Sequence, residues 1–385
     1  MKIALITNDD SGMWQFRGGL IKALVSKGIE VFVIVPSGPY VEKLEAIGAK
    51  SITVEIKRFL NPIQDIKLIW QFYRIFTKEK FDLVHTITIK PNLFGTIAAK
   101  AAGIKRIVCL VSGIGFIFSN EPSLLTKMIR PFVMYLYKNA LTISEKTWFQ
   151  NQDDLDYFVE RRLIDPKKGV VIKGSGVNLI EYSKSAVKQS SLESIRREFH
   201  ISSSSRCVVM ITSRLIWSKG IREFVEAVEI LKTSYPEWTF IMVSPVDPGS
   251  PDSVPLEYLQ EHRSEKFIIL EDYRLDIKSF IELAEIMVLV SYYREGVPRI
   301  LLEALSMSKP IVTSNSVGCK EVVEDGKNGF LVPAKNSKAL TEKLTILMDD
   351  ENKRRRFGEH SRWMAKEFFD ENLVVNRVFT ELYGL

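Results

Sequence analysis

Two carboxylates, Glu295 and Glu303, are separated by seven residues in SYYREGVPRILLEALSMSKP, residues 291–310. Two cations, Arg214 and Lys219, stand close together in SRLIWSKG, residues 213–220. Carboxylates at fixed spacing can hold the hydroxyl groups of a ribose or a sugar. A guanidinium and an ammonium at a turn can hold a phosphate, the first as a planar fork and the second as a point charge. An acidic pair alone also fits a surface glutamate plus a solvated helix glutamate. The second stretch shifts the balance, because its cations lie where a phosphate-binding loop belongs.

The elements around these residues have the same order in both stretches. Residues 286–290 read as a short buried strand, and Arg299 onward has Ile300, Leu301, Ala304 and Leu305 at helical spacing. Pro298 sits where a helix opens, a position that tolerates its missing N–H. Glu295 therefore falls in the turn at the carboxyl end of the strand, and Glu303 about a turn and a half into the helix. The N–H groups of Gly296, Val297 and Arg299 are expected to face an anion such as a diphosphate. Arg299 itself reads as a solvated helix residue, or as a contact for an acidic sugar. Residues 208–212 form a second β-like run, followed by the Arg214–Lys219 turn and an amphipathic helix over 221–233.

Together these stretches resemble the retaining glycosyltransferases of family four. RLIWSKGIREFVEA (214–227), REGVPRILLEA (294–304) and GCKEVVEDGKNGFLV (318–332) carry the resemblance. FQNQDDLDYF (149–158) and VIKGSGVNLIEY (171–182) match more weakly, and nearly the whole chain is covered. The pattern looks closest to bacterial enzymes that add an N-acetylhexosamine, with N-acetylgalactosamine the first guess, to a lipid-diphosphate-linked sugar. The resemblance implies an α/β chain with the GT-B fold: two Rossmann-like, doubly wound parallel-sheet domains facing a cleft, with a C-terminal helix crossing back. The boundaries expected are 1–180 for an acceptor-binding domain, 181–368 for a nucleotide-sugar domain and 369–385 for the returning helix.

It also implies roles. Arg214 and Lys219 would stabilise charge on a departing diphosphate. Glu303 would hold ribose hydroxyls, and Glu295 sugar hydroxyls near the reacting carbon. Arg274, after the strand at 267–270, would lie near the nucleotide base. A UDP-sugar is the co-substrate expected. No D-x-D-like pair sits in a suitable loop, so no metal or other cofactor is expected. A sugar-nucleotide epimerase or hydrolase on the same fold, or a non-catalytic glycan-binding protein, are the alternatives.

The first half offers candidate acceptor contacts at strand ends. Gly12 lies in the polar turn NDDSG, which lacks G-x-G-x-x-G spacing. His85 and Lys90 follow the strand at 83–86, His85 fitting a structural histidine equally well. Gly113 follows the strand at 107–111, where many relatives have a histidine that this chain lacks. Lys173 follows the strand at 170–172 and is a candidate acceptor-phosphate contact or a solvated lysine. The remaining strands expected in this half are 3–7, 30–35, 51–55 and 140–143. Beyond a Ser- and Lys-rich connection at 184–194, 239–243, 311–313 and 329–332 complete the second series. A loop, DPGSPD at 247–252, follows Ser244-Pro245, where relatives often have glycine, and the resemblance would put it near the donor sugar. The basic run Lys353–Arg356 reads as a solvated helix face.

The chain of 385 residues is 46% hydrophobic and 26% charged, which suits two globular domains. Its three cysteines are scattered, which fits a reducing cytoplasmic compartment rather than a disulfide frame. The N-terminus reads as a first strand, not a signal peptide. The longest uncharged run, 107–120, is too short to span a bilayer and reads as a core strand and its loop. The net charge of +6 lies entirely in residues 1–165, which hold 22 Lys and Arg against 16 Asp and Glu. No nucleic-acid motif accompanies it, so an anionic membrane face or a diphosphate acceptor is the partner expected. Residues 62–80 and 124–138 are basic and amphipathic, which fits peripheral docking at the inner face of the cell membrane.

Overall fold

The computed structural model describes residues 1–57, 61–115 and 124–385. It divides into two compact units, Met1–Gly176 with Glu371–Leu385, and Val177–Asp370.

In the first unit seven strands form one parallel sheet: β1 (Lys2–Ile6), β2 (Glu30–Val35), β3 (Lys50–Thr53), β4 (Leu83–Ile87), β5 (Arg106–Val111), β6 (Lys146–Phe149) and β7 (Gly169–Val171). The order is β3-β2-β1-β4-β5-β6-β7. Ile3 pairs with Val31 on one side and Leu83 on the other. Runs such as VFVIV and RIVCLV are apolar almost throughout because helices cover both faces of such a sheet. The helix Glu371–Arg377 continues as a π-helical stretch, Val378–Tyr383, and buries Val374, Val378, Phe379, Leu382 and Tyr383 against Ile3, Leu5 and Met13.

The second unit repeats the plan with six strands: β8 (Arg206–Ile211), β9 (Trp238–Val243), β10 (Phe267–Leu270), β11 (Ile286–Leu289), β12 (Ile311–Ser314) and β13 (Gly329–Val332), in the order β10-β9-β8-β11-β12-β13. The direction of progression reverses between β8 and β11, which pair through Val208–Met210 and Ile286–Val288. Ligands of open α/β sheets collect at the carboxyl ends of strands at such a reversal.

Four local expectations need correction. Residues 140–143 are not a strand but the end of the helix Leu124–Ile143. Val133, Tyr137, Ala140 and Leu141 are buried at helical spacing, and the sheet strand follows as Lys146–Phe149. The 184–194 connection is not all irregular: a helix, Gln189–Glu198, begins inside it and buries Ile195. In the basic run, Arg354 is buried, donating from Nη1 to the carbonyls of Leu347 at 2.7 Å and Met348 at 3.0 Å. Of that run, Arg355 and Arg356 are exposed and Lys353 is half-buried. Pro298 stands one position earlier than expected, as the residue before the helix Arg299–Ser306. Residues 116–120, read with β5 as its loop, lie outside the described residues. Among the described residues no helix is long and apolar enough to cross a membrane.

Candidate active site

The turns after β8 and β11 leave the sheet side by side and are sewn together through one carbonyl. Ser218 O accepts from the backbone N–H groups of Tyr292 at 2.9 Å and Tyr293 at 3.0 Å, and from Ser291 Oγ at 3.3 Å. Gly220 makes this approach possible. It has φ +83°, and a Cβ there would lie 2.5 Å from the Val290 carbonyl oxygen. Gly318 does the same for a third loop: its φ is +84°, and a Cβ would lie 1.7 Å from Gly296 O.

Within this frame Lys219 Nζ donates to Glu295 Oε1 at 2.6 Å. Ser291 Oγ donates to the same oxygen at 3.0 Å. The Lys219 side chain is only 4% exposed, so its charge is held in a low-dielectric setting beside a single carboxylate. The ring of Tyr293 collects both cations, with Arg214 Cζ 5.1 Å and Lys219 Nζ 5.8 Å from its centroid. Arg214 is also paired with Asp247 across 3.5 Å. The three residues Arg214, Lys219 and Glu295, read separately from the sequence, are thus one cluster at the sheet reversal.

Glu303 is buried in its helix. Arg299 Nε donates to its Oε1 at 2.9 Å, and the Tyr182 hydroxyl also bonds it. Burial pushes its carboxyl above the ordinary range, and the Arg299 guanidinium opposes the shift. Arg299 is therefore not a solvated helix residue: its charge goes to Glu303. Gly296 and Val297 are buried in the turn leading to this helix, under the Gly318 loop.

Arg274 does not join the cluster. Its guanidinium is committed to Glu198, at 2.8 Å, and Asp276, at 2.6 Å, so a charge-based contact to a nucleotide would have to break two ion pairs.

In the first unit, Gly12 N donates to the side chain of Asp9, which caps the helix Asp10–Ser26. Gly12 therefore lies in the first turn of that helix, not in the loop expected there. His85 is wholly buried, its Nδ1 2.6 Å from Tyr383 Oη and its ring beside Trp148. A ring with no exposed atom cannot touch an acceptor, so this residue is corrected to a core position. Lys90 is buried, and its Nζ bonds Asp65 Oδ1 at 2.6 Å, so an acceptor phosphate would have to compete with that carboxylate. Gly113 is half-buried at φ +115° beyond β5, and Lys173 is exposed beyond β7.

Sequence reasoning missed the side chains of Ser291, Tyr293 and Tyr182, and named the loop of Asp247 without its pairing to Arg214. Ser291 and Tyr293 flank the glutamate motif and could have been read with it. The other two reach the site from 33 residues after Arg214 and 121 before Glu303.

Comparison with known proteins bears on the whole chain. The family model "Glycosyl transferases group 1" matches residues 193–364, and "Glycosyl transferase 4-like" matches residues 2–147. An N,N'-diacetylbacillosaminyl-diphospho-undecaprenol alpha-1,3-N-acetylgalactosaminyltransferase of Campylobacter jejuni is 30% identical over 384 residues, covering 100% of this chain and 98% of the relative. An Escherichia coli UDP-Gal:alpha-D-GlcNAc-diphosphoundecaprenol alpha-1,3-galactosyltransferase is 26% identical over 320 residues, covering 82% of this chain and 78% of the relative. Among solved structures, Anabaena HepE in complex with UDP and glucose superposes with a TM-score of 0.80 at 19% identity, all of both chains being covered.

Proposed function

This chain belongs to the glycosyltransferases, with the GT-B fold and the group 1 and 4-like family domains, and from that premise we propose that it moves an N-acetylhexosamine or hexose from a UDP-sugar to a polyprenyl-diphosphate-linked sugar with retention of anomeric configuration. N-acetylgalactosamine is the first candidate for the sugar, since the full-length Campylobacter relative carries that activity in its name. The first unit binds the acceptor and the second the nucleotide-sugar.

The observation that carries this reading is the Lys219–Glu295 pair with Arg214, three side chains at the reversal of the second sheet. As the bond from the sugar's anomeric carbon to the diphosphate breaks, negative charge builds on the departing phosphate and positive character on the carbon. Arg214 and Lys219 stabilise the first, the largest kind of contribution a site can make. Glu295 is placed to hold sugar hydroxyls and favour the second. Glu303 takes the ribose hydroxyls. The acceptor hydroxyl bonds to the anomeric carbon and its proton passes to the leaving phosphate, which removes the need for a protein base. With two cations serving the diphosphate, we propose no metal in this step.

Docking on an anionic membrane face belongs to the same reading. On the helix Pro62–Glu79, Leu68, Phe72 and Phe76 are buried, while Ile63 and Ile66 are 70% and 68% exposed and Trp70 57%. On the helix Leu124–Ile143, Met128, Phe132 and Tyr135 are exposed while Val133 and Tyr137 are buried. Exposed Lys67, Arg74, Lys78, Lys127 and Lys138 lie among them. Outward apolar and aromatic groups among cations suit a headgroup layer.

Mass spectrometry of the lipid-linked product after incubation with a panel of UDP-sugars tests the function, with and without a chelator. A lipid-linked sugar lengthened by one residue in both cases is expected. An epimerised or hydrolysed UDP-sugar with an unchanged lipid would replace the reading with the epimerase or hydrolase one.

A further inference from the structure

We infer that Asp247 is a built-in competitor of the diphosphate for Arg214, setting how readily the nucleotide leaves. This rests on the assignment of Arg214 to the diphosphate. Asp247 Oδ2 lies 3.5 Å from Arg214 Nη1, and the Asp247 side chain is only 11% exposed.

Its place is imposed by the backbone rather than by a free side chain's choice. The loop that carries it is fastened to the Arg214–Lys219 turn along its length. Leu215 N donates to Pro245 O at 2.7 Å, and Val254 N to Leu215 O at 3.3 Å. Trp217 N donates to Asp252 O at 2.9 Å, and Ser218 N to the Asp252 carboxylate at 3.0 Å. The Ser218 hydroxyl donates to that same carboxylate. Any arrangement of the phosphate turn therefore brings Asp247 with it.

A carboxylate in that position costs affinity for an anion. It attracts the same guanidinium and repels the incoming charge. The cost is unequal for donor and product. In a UDP-sugar the outer phosphate is esterified. After transfer it is a terminal phosphate, and terminal phosphates carry close to one charge more at neutral pH. Asp247 thus weakens UDP more than it weakens the donor, which favours product release. Lys219 has a carboxylate too, but Glu295 is assigned to the sugar. Asp247 is the carboxylate paired with Arg214.

The test is calorimetry with UDP and with uridine on the full chain, using Asp247→Asn, Asp247→Ser, Arg214→Ala and Arg214→Ala combined with Asp247→Asn. UDP should bind the two Asp247 variants about fivefold more tightly, the scale of a partly exposed ion pair. Uridine affinity should be unchanged, and the gain should vanish when Arg214 is also removed. Asp247→Ser removes the carboxylate in a second way, so a folding defect peculiar to one variant is recognised by disagreement with the other. If Arg214→Ala leaves UDP binding intact, the phosphate assignment itself is wrong. If Arg214→Ala weakens UDP while the Asp247 variants bind it equally or less tightly, the competitor role is overturned.

Discussion

Arg214 and Lys219 differ in what their loss should do to their neighbours, yet both should be costly. Replacing either by alanine should lower kcat/KM by about 10² or more, as removal of a charged transition-state contact does. Near-normal steady-state turnover by both variants would remove them from the diphosphate. The two glutamates should separate kinetically. Glu295→Gln should lower kcat with UDP affinity little changed, whereas Glu303→Gln should weaken UDP binding. The reverse pattern in calorimetry would exchange their roles. Glu303 also has a pH signature. Burial raises its pKa above the ordinary glutamate range, and the Arg299 guanidinium only partly offsets that shift. Its contribution to stability is whole below the ordinary glutamate value and is lost as pH rises through the raised one. Thermal melts from pH 4 upward should therefore show wild type losing ground to Glu303→Gln. A constant gap between the two curves would contradict the shift. Arg214, Lys219 and Glu295 were legible because each sits beside a strand end with turn residues that mark it, and Glu303 because it follows Glu295 at a fixed spacing in the next helix. Tyr182 was not, and of Asp247 only the loop was, because a side chain arriving from a different loop leaves no local spacing to read.

Among the elements, strands with continuous apolar runs were read almost to the residue: Glu30–Val35, Phe267–Leu270 and Gly329–Val332 match their expected bounds. The β6 region was misread because its strand begins on Lys146 and directly follows a helix that ends in Ala-Leu-Thr-Ile. A short apolar run cannot declare its own period. The stretch 371–383 was helical in pattern, but its π-helical second half has no sequence mark. What fastens that stretch is testable. Tyr383 bonds His85, whose pKa burial lowers to about 3, with the Arg17 charge adding to the effect. A depressed histidine contributes stability that is full above its ordinary 6.5 and is lost as pH falls toward the depressed value. His85→Gln keeps a hydrogen-bonding partner for Tyr383 and cannot titrate. Its melting temperature should fall less than that of wild type between pH 7 and pH 4. An equal fall would mean that other groups govern acid unfolding.

For the molecule as a whole, the uneven charge is the feature most open to experiment. Flotation with liposomes should recover the protein with anionic vesicles and lose it as salt rises, since each cation near such a surface is worth roughly 1 kcal/mol and is screened. Changing Lys67, Arg74, Lys127 and Arg130 to Glu should abolish recovery in a variant that still binds UDP. Equal recovery on neutral vesicles would refute an electrostatic surface. The division into two units was legible from the repeated strand–helix series. The helix starting inside 184–194 was not, because its residues are polar and only Ile195 is fully buried. The return of residues 371–385 to the first unit has a consequence for biosynthesis. A nascent chain emerges from the ribosome in order, and domains ordinarily fold as they emerge. Here the Val177–Asp370 unit is contiguous and can close as soon as it clears the exit tunnel. The unit that is translated earlier must wait for residues that are translated later before the Ile3–Leu5 side of its sheet, part-covered by the helix Asp10–Ser26, is fully closed.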